Sequence, residues 1–167
     1  MRRTSFENWP CPVARVVDLF GDSWTTLVLR DAFYGIRRFD EFRRSLGIAR
    51  NTLADRLRLL VDEGLLEKAP YQADPERFEY LLTDKGRDFF PVLAAMARWG
   101  DRWLTGADGP PITFRHVLCG HDTSAEVVCA ECGEPLGAGD TEMTAGPGFP
   151  QQLLQREEVR RRFGADA

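Results

Sequence analysis

The chain has 167 residues, a formal net charge of −4, 43% hydrophobic residues and 29% charged ones. That length holds one ordinary domain, or one domain with a small appendage, and the composition is that of a soluble globular protein. No apolar run approaches the ~18 residues of a membrane span, the N-terminal MRRTSFENWPCP lacks the apolar core of a secretory signal, and the negative charge argues against a protein that coats nucleic acid over its whole surface.

A cytoplasmic location is the expectation, and there clustered cysteines bind metal or react more often than they form disulfides. In chain order, PVARVVDLF (12–20) predicts a short helix, with Pro12 at a first helical position and Gly21 ending it. Asp22 or Ser23 caps the next helix, WTTLVLRDAFYG, which stops at Gly35. A third helix, FDEFRRSL, ends at Gly47. A fourth runs from about Ala49 to Glu63, with Leu53, Leu57 and Leu60 at helical core spacing. LLEKAPY and RFEYLLT then predict two strands of a β-hairpin with a long tip, QADPE. Thr83 caps a long helix, DKGRDFFPVLAAMARWGDRWL, which Pro91 should kink. GADGPP reads as a linker, GAGDTEMTAGPGFP as irregular chain, and QQLLQREEVRRRF as a terminal helix or a frayed tail.

The charge is uneven. Between Arg37 and Arg58 stand seven arginines and three acids, a net +4 inside a chain of −4. A solvated helical surface would carry such charge, but the order of elements gives it another use. Three helices, a fourth with a basic exposed side and then a hairpin form a winged helix-turn-helix. In that geometry the fourth helix enters the major groove with its N-terminal residues nearest the base edges. Arginine reads guanine and asparagine reads adenine, so Arg50, Asn51 and Thr52 are the candidate readers. Arg56 is a candidate for phosphate or base, Arg38, Arg43 and Arg44 for phosphates, and Arg77 for a flanking minor groove or phosphate from the hairpin tip. Asp55 is out of place on such a surface unless it holds an arginine or accepts from a cytosine.

Residues 115–136, RHVLCGHDTSAEVVCAECGEPL, hold three of the four cysteines and both histidines. His116-Val-Leu-Cys119-Gly120 and Cys129-Ala-Glu-Cys132-Gly133 repeat one shape: donor, two residues, cysteine, glycine. This is zinc-ribbon knuckle spacing, and three thiolates with one imidazole make a structural Zn²⁺ site. His121 rivals His116 as the fourth ligand. A degenerate ribbon without metal and a thiol-redox pair at Cys129 and Cys132 are the other readings. A metal would supply folding energy that so small a region cannot draw from a core.

On CPVAR (11–15), GDSWTTLVLRDAF (21–33), GIRRFDEFRRSLGIARNTLADRLRLLVDEGLLEK (35–68), PERFEYLLTDKG (75–86), PVL (91–93) and RWGDRW (98–103), residues 11–104 resemble the HxlR family of bacterial winged-helix transcriptional regulators, relatives of the MarR group. The resemblance implies a homodimer on a double-stranded DNA operator with two half-sites, its contact made by the first helix and the long last helix, with Trp99 and Trp103 suited to it. Cys11 matches a cysteine that senses oxidants or electrophiles in some members, and the positive end of a helix dipole favours a thiolate. A small, partly buried side chain without a signalling role is the plainer reading. Two positions depart from the family pattern: Gly21-Asp22-Ser23 replaces Gly-Gly-Lys before the tryptophan, and Ala49 replaces a serine that caps the recognition helix.

The expected organisation is mainly α (α+β). A winged helix-turn-helix with a long C-terminal dimerisation helix covers 8–104, a zinc-ribbon-like β appendage 112–149, and a terminal helix or disordered tail 150–167. The expected function is sequence-specific transcriptional regulation, open to a redox, electrophile or small-molecule signal. The alternative is a protein-interaction module built from a winged helix and a ribbon. No pairing of nucleophile and base, phosphate loop or paired carboxylates suggests an enzyme.

Overall fold

A computed structural model describes residues 5–163. The chain divides into two compact units, one of residues 20–126 and one that joins the described parts of 1–19 and 127–167.

The larger unit is built around α2 (Ser23–Phe33), α3 (Phe39–Leu46) and α4 (Arg50–Asp62). Val28 and Leu29 of α2, Phe42 of α3, and Leu53, Leu57 and Leu60 of α4 are fully buried against one another. The leucine stripe of α4 is thus the core face its spacing predicts. Each helix ends for a local reason. Asp22 caps α2, accepting from the Trp24 and Thr25 N–H groups at 2.9 and 3.0 Å. Glu41 reaches back to the Arg38 N–H at the start of α3 (3.1 Å). After α4, Gly64 takes φ +69° and the Leu65 N–H returns to the Leu60 carbonyl at 2.8 Å. This left-handed turn satisfies end carbonyls and buries Leu65 as its apolar contact.

The hairpin follows as β1 (Leu66–Ala73) and β2 (Glu76–Leu82), antiparallel from Leu66↔Leu82 to Ala73↔Glu76 with a bulge at Tyr71. The strands run further than expected. Only Asp74 and Pro75 remain at the tip, because Gln72 and Ala73 continue the ladder opposite Arg77 and Glu76. A third edge adds to the wing, since the Tyr80 N–H donates to the Arg37 carbonyl (2.8 Å) and Arg38 bridges Glu79.

The long last helix is two. α5 (Asp84–Asp88) and α6 (Phe90–Trp103) break at Phe89. Pro91 has no N–H to donate and its ring crowds the preceding turn, so it begins a new helix instead of bending an old one. Thr83 caps α5 through the Gly86 N–H at 3.0 Å, and the same hydroxyl donates to the Gly64 carbonyl at 2.6 Å. β3 (Phe114–His116) and β4 (His121–Thr123) form a small second hairpin. Phe114 packs edge-on against Phe90 of α6 (centroids 5.7 Å), Phe90 tilts against Phe33 of α2 (5.4 Å), and Arg98 pairs with Glu126 at 2.6 Å.

The second unit holds most of α1 (Pro12–Phe20), α7 (Gln151–Leu154) and α8 (Glu157–Arg162). The tail is therefore two short helices, with Phe149 and Phe163 edge to face at 5.0 Å. The segment before α1 folds back on it. The Phe6 N–H donates to Asp18 (3.0 Å) and Arg15 Nε to the Trp9 carbonyl (3.0 Å).

Candidate DNA interface

The start of α4, the length of α3 and the inner face of the wing enclose a cleft of about 810 Å³. Its cations are Arg38, Arg43, Arg44, Arg50, Lys68 and Arg77, and its acids are Asp40, Glu41 and Glu76. The structure thus gathers six cations from three elements that are separate in sequence. α3 contributes Arg43 and Arg44 in its last turn and Gly47 (φ +63°) reverses the chain, so Arg50 emerges on the same side and lines a second cleft with them.

These cations are not equivalent. Arg43, Arg44 and Arg77 are exposed and, among the described residues, have no ion pair. Arg50 is exposed with its guanidinium 5.4 Å from the Phe39 ring. Asn51 is exposed and Thr52 half-buried beside it, both in the first turn of α4. Arg38 is tied at both sides, by Nε to Glu79 Oε1 (3.1 Å) and by its guanidinium over the Tyr71 ring (4.4 Å). The Lys68 ammonium sits 3.7 Å from the Phe78 ring centre. Arg38 thus braces the wing against the start of α3, and Lys68 ties the two strands of the wing to each other, while both line the cleft. Burial raises the Tyr80 phenol pKa above its ordinary 10.0, which keeps this hydroxyl neutral.

Two side-chain contacts complete the description of α4. Asp55 pairs with Arg58 at 3.5 Å on the exposed face, which accounts for an acid on a basic helix. Arg56 stands outside the cleft, with Nε 3.1 Å from Asp22 Oδ1. Ala49 occupies the cap position of α4 with extended backbone and no side-chain bond.

The two cysteine turns each have knuckle form. In the first, the Gly120 N–H donates to the His116 carbonyl (2.7 Å), Gly120 takes φ +73°, and His116 Nδ1 lies 3.3 Å from Cys119 Sγ. In the second, the Gly133 N–H donates to the Cys129 carbonyl (2.9 Å) and Gly133 takes φ +77°. N–H groups of Cys132 and Glu131 directed at the Cys129 sulfur, with the Cys132 side chain, lower its thiol pKa. Zinc bonds of about 2.0–2.3 Å in a tetrahedron put neighbouring donors roughly 3.5 Å apart, so the His116–Cys119 spacing fits two ligands of one ion. His121 lies opposite His116 in the β3–β4 ladder. Among the described residues, no three His, Cys, Asp or Glu side chains converge on one point. Cys11 is a free, half-buried thiol just before Pro12, and its carbonyl accepts the Arg15 N–H.

A basic cleft between two helices and a wing is what a groove-reading module presents, and residues 19–108 match the HxlR-like helix-turn-helix family. The chain belongs to that family. An HTH-type transcriptional regulator of Mycobacterium tuberculosis, Rv3095, is 46% identical over 141 residues, covering 84% of this chain and 89% of the relative. Among solved structures, the candidate transcription factor PA1607 superposes with a TM-score of 0.76 at 40% identity, over 86% of this chain and all of the other. The redox regulator HypR in its reduced form matches 56% of this chain and 96% of its own length, with a TM-score of 0.52 at 32% identity. This HxlR-like protein is a transcriptional regulator with a helix-turn-helix DNA-binding domain, not an enzyme. The matches to Rv3095 and PA1607 are longer than the 90-residue family segment, so they take in part of the C-terminal region as well. Among the described residues no helix is long and apolar enough to cross a membrane.

Proposed function

We propose that this regulator binds a specific operator as a homodimer, with α4 in the major groove and the wing alongside. The observation that carries the reading is the set of uncommitted donors at one edge. Arg50, Asn51 and Thr52 lead α4 into the open, flanked by Arg43, Arg44 and Arg77 without ion pairs among the described residues. Arg43, Arg44 and Arg77 supply phosphate contacts, which set position and salt dependence; Arg50 and Asn51 supply base contacts, each discriminating by about 1–3 kcal/mol. Selection from random duplexes should yield a preferred sequence, and Arg50→Ala or Asn51→Ala should weaken binding to it about tenfold while flattening the preference. Unchanged affinity in both variants would remove α4 from the role of reader.

The homodimer is supported by α6. Val92, Met96, Trp99 and Trp103 are 43–62% exposed, and Leu104 behind them is 75% exposed, an apolar surface of the sort that marks an interface. Responsiveness to an oxidant or electrophile is supported by the free Cys11 thiol at a helix start and by likeness to a protein named as a redox regulator.

For the C-terminal region the reading is a structural Zn²⁺ held by His116, Cys119, Cys129 and Cys132. Its support is the repeated spacing and the matched backbone form of the two turns. Untagged protein purified without added metal should carry about one zinc per chain, lost in Cys129→Ser/Cys132→Ser. Fully reduced, metal-free wild-type protein with an unchanged fold would sink this reading.

A further inference from the structure

We propose that Asp22 is a positioning residue for the DNA interface, holding the Arg56 guanidinium on the flank of the recognition helix where its outer nitrogens meet a DNA phosphate. The inference rests on the DNA-binding reading above and adds to it a residue outside the helix that touches DNA.

Arg56 leaves α4 next to the buried stripe of Leu53, Leu57 and Leu60. Its Nε has no solvent access and no aligned hydrogen bond; the group it faces is Asp22 Oδ1, at 3.1 Å. Nη1 and Nη2 are not among the buried, unpartnered atoms and, among the described residues, make no hydrogen bond, so they keep access to solvent. The guanidinium is thus gripped on its inner edge and open on its outer one.

Asp22 is itself immobilised. It accepts from the backbone of Trp24 and Thr25, and from the hydroxyl of Thr25, a residue with no exposed surface. The carboxylate therefore belongs to the start of α2, and the arginine belongs to α4. The side chains are 21% and 28% exposed, against 61% and 69% for Asp55 and Arg58. Solvent and salt screen the first pair less. Without the carboxylate charge, the buried inner edge of the guanidinium would face only a neutral amide oxygen, which compensates its charge far less and holds the side chain in its seat less firmly.

The sign of one substitution separates this from simple electrostatics. Asp22→Asn removes a negative charge near the interface, which by charge alone tightens DNA binding. Asparagine caps helices as well as aspartate does, so the fold is kept. Positioning predicts the opposite sign. With operator duplex selected as above, Asp22→Asn should bind about tenfold more weakly. Arg56→Ala should bind more weakly and lower the salt slope by about one, as a lost phosphate contact does. The double variant should bind no more weakly than Arg56→Ala. Equal or tighter binding by Asp22→Asn, or an unchanged salt slope in Arg56→Ala, would overturn the proposal.

A DNA-free measurement keeps it distinct from the regulatory reading. In wild type the Arg56 Nε–H resonance should be resolved and slow to exchange with water, and it should become fast-exchanging in Asp22→Asn. Were no duplex bound by wild type, the regulatory reading would fall. An Nε–H signal indifferent to Asp22→Asn would instead overturn the Asp22–Arg56 grip itself.

Discussion

The Asp22 carboxylate has two tasks: ending the loop before α2 and facing Arg56. Burial pushes its pKa up, but the Thr25 hydroxyl, the Trp24 and Thr25 N–H groups and Arg56 outweigh burial, and the result lies below the ordinary 3.8. A carboxyl lowered on folding stabilises above its unfolded value and loses that contribution as pH falls through the folded one. The stability difference between wild type and Asp22→Asn, from urea denaturation, should therefore be flat from neutral pH down to about 3.8 and shrink below it. Asp22 was legible in the sequence as a cap because capping is local. Its partner was not, because Arg56 lies on another helix and no spacing rule links them. That Arg50 and Asn51 stand in the first turn of α4 was legible because the element order and Gly47 set where that helix begins.

Among the elements, α4 begins poorly and α5 docks tightly. Ala49 has the extended backbone of a cap without the oxygen to act as one. Ala49→Ser should raise stability by about 0.5–2 kcal/mol, read as a higher denaturation midpoint with unchanged slope. Gly86 is the reverse case. A Cβ there would stand 2.1 Å from the Leu65 carbonyl oxygen, a backbone atom that Thr83 also contacts. Gly86→Ala should destabilise by about 1–3 kcal/mol, visible as a lower melting temperature. The helices of the motif were readable from apolar period and glycine stops, and α1 and α3 match to the residue. The wing tip was not, because Gln72 and Ala73 look like turn residues and are held in the ladder by partners on the other strand. Neither was the α5–α6 break, where Pro91 serves as a helix start.

For the whole molecule, the proposed homodimer rests on the apolar stripe of α6. Trp99→Glu places a charge in the middle of it. The variant should sediment as a monomer at concentrations where wild type is dimeric, with association weakened about thirtyfold or more. Operator affinity should fall with it, since two half-sites are then read separately. The stripe was visible in the sequence as helical period, but period alone does not separate core from surface; exposure of 60% and 62% at Trp99 and Trp103 does. The two cysteine turns were readable from their spacing and glycines, as local turns with positive φ at Gly120 and Gly133.

The Phe33–Phe90–Phe114 contacts bear on where this protein can be cut. The helix-turn-helix family segment stops at residue 108, and a protein chemist seeking the minimal DNA-binding fragment would end the chain there. Packing does not stop there. Phe114 covers Phe90, and Glu126 holds Arg98, so a fragment ending at 108 uncovers an aromatic ring at the root of α6 and becomes sticky, whereas one ending after Glu126 keeps both contacts. The frontier of the helix-turn-helix segment and the frontier of cohesion fall at different residues.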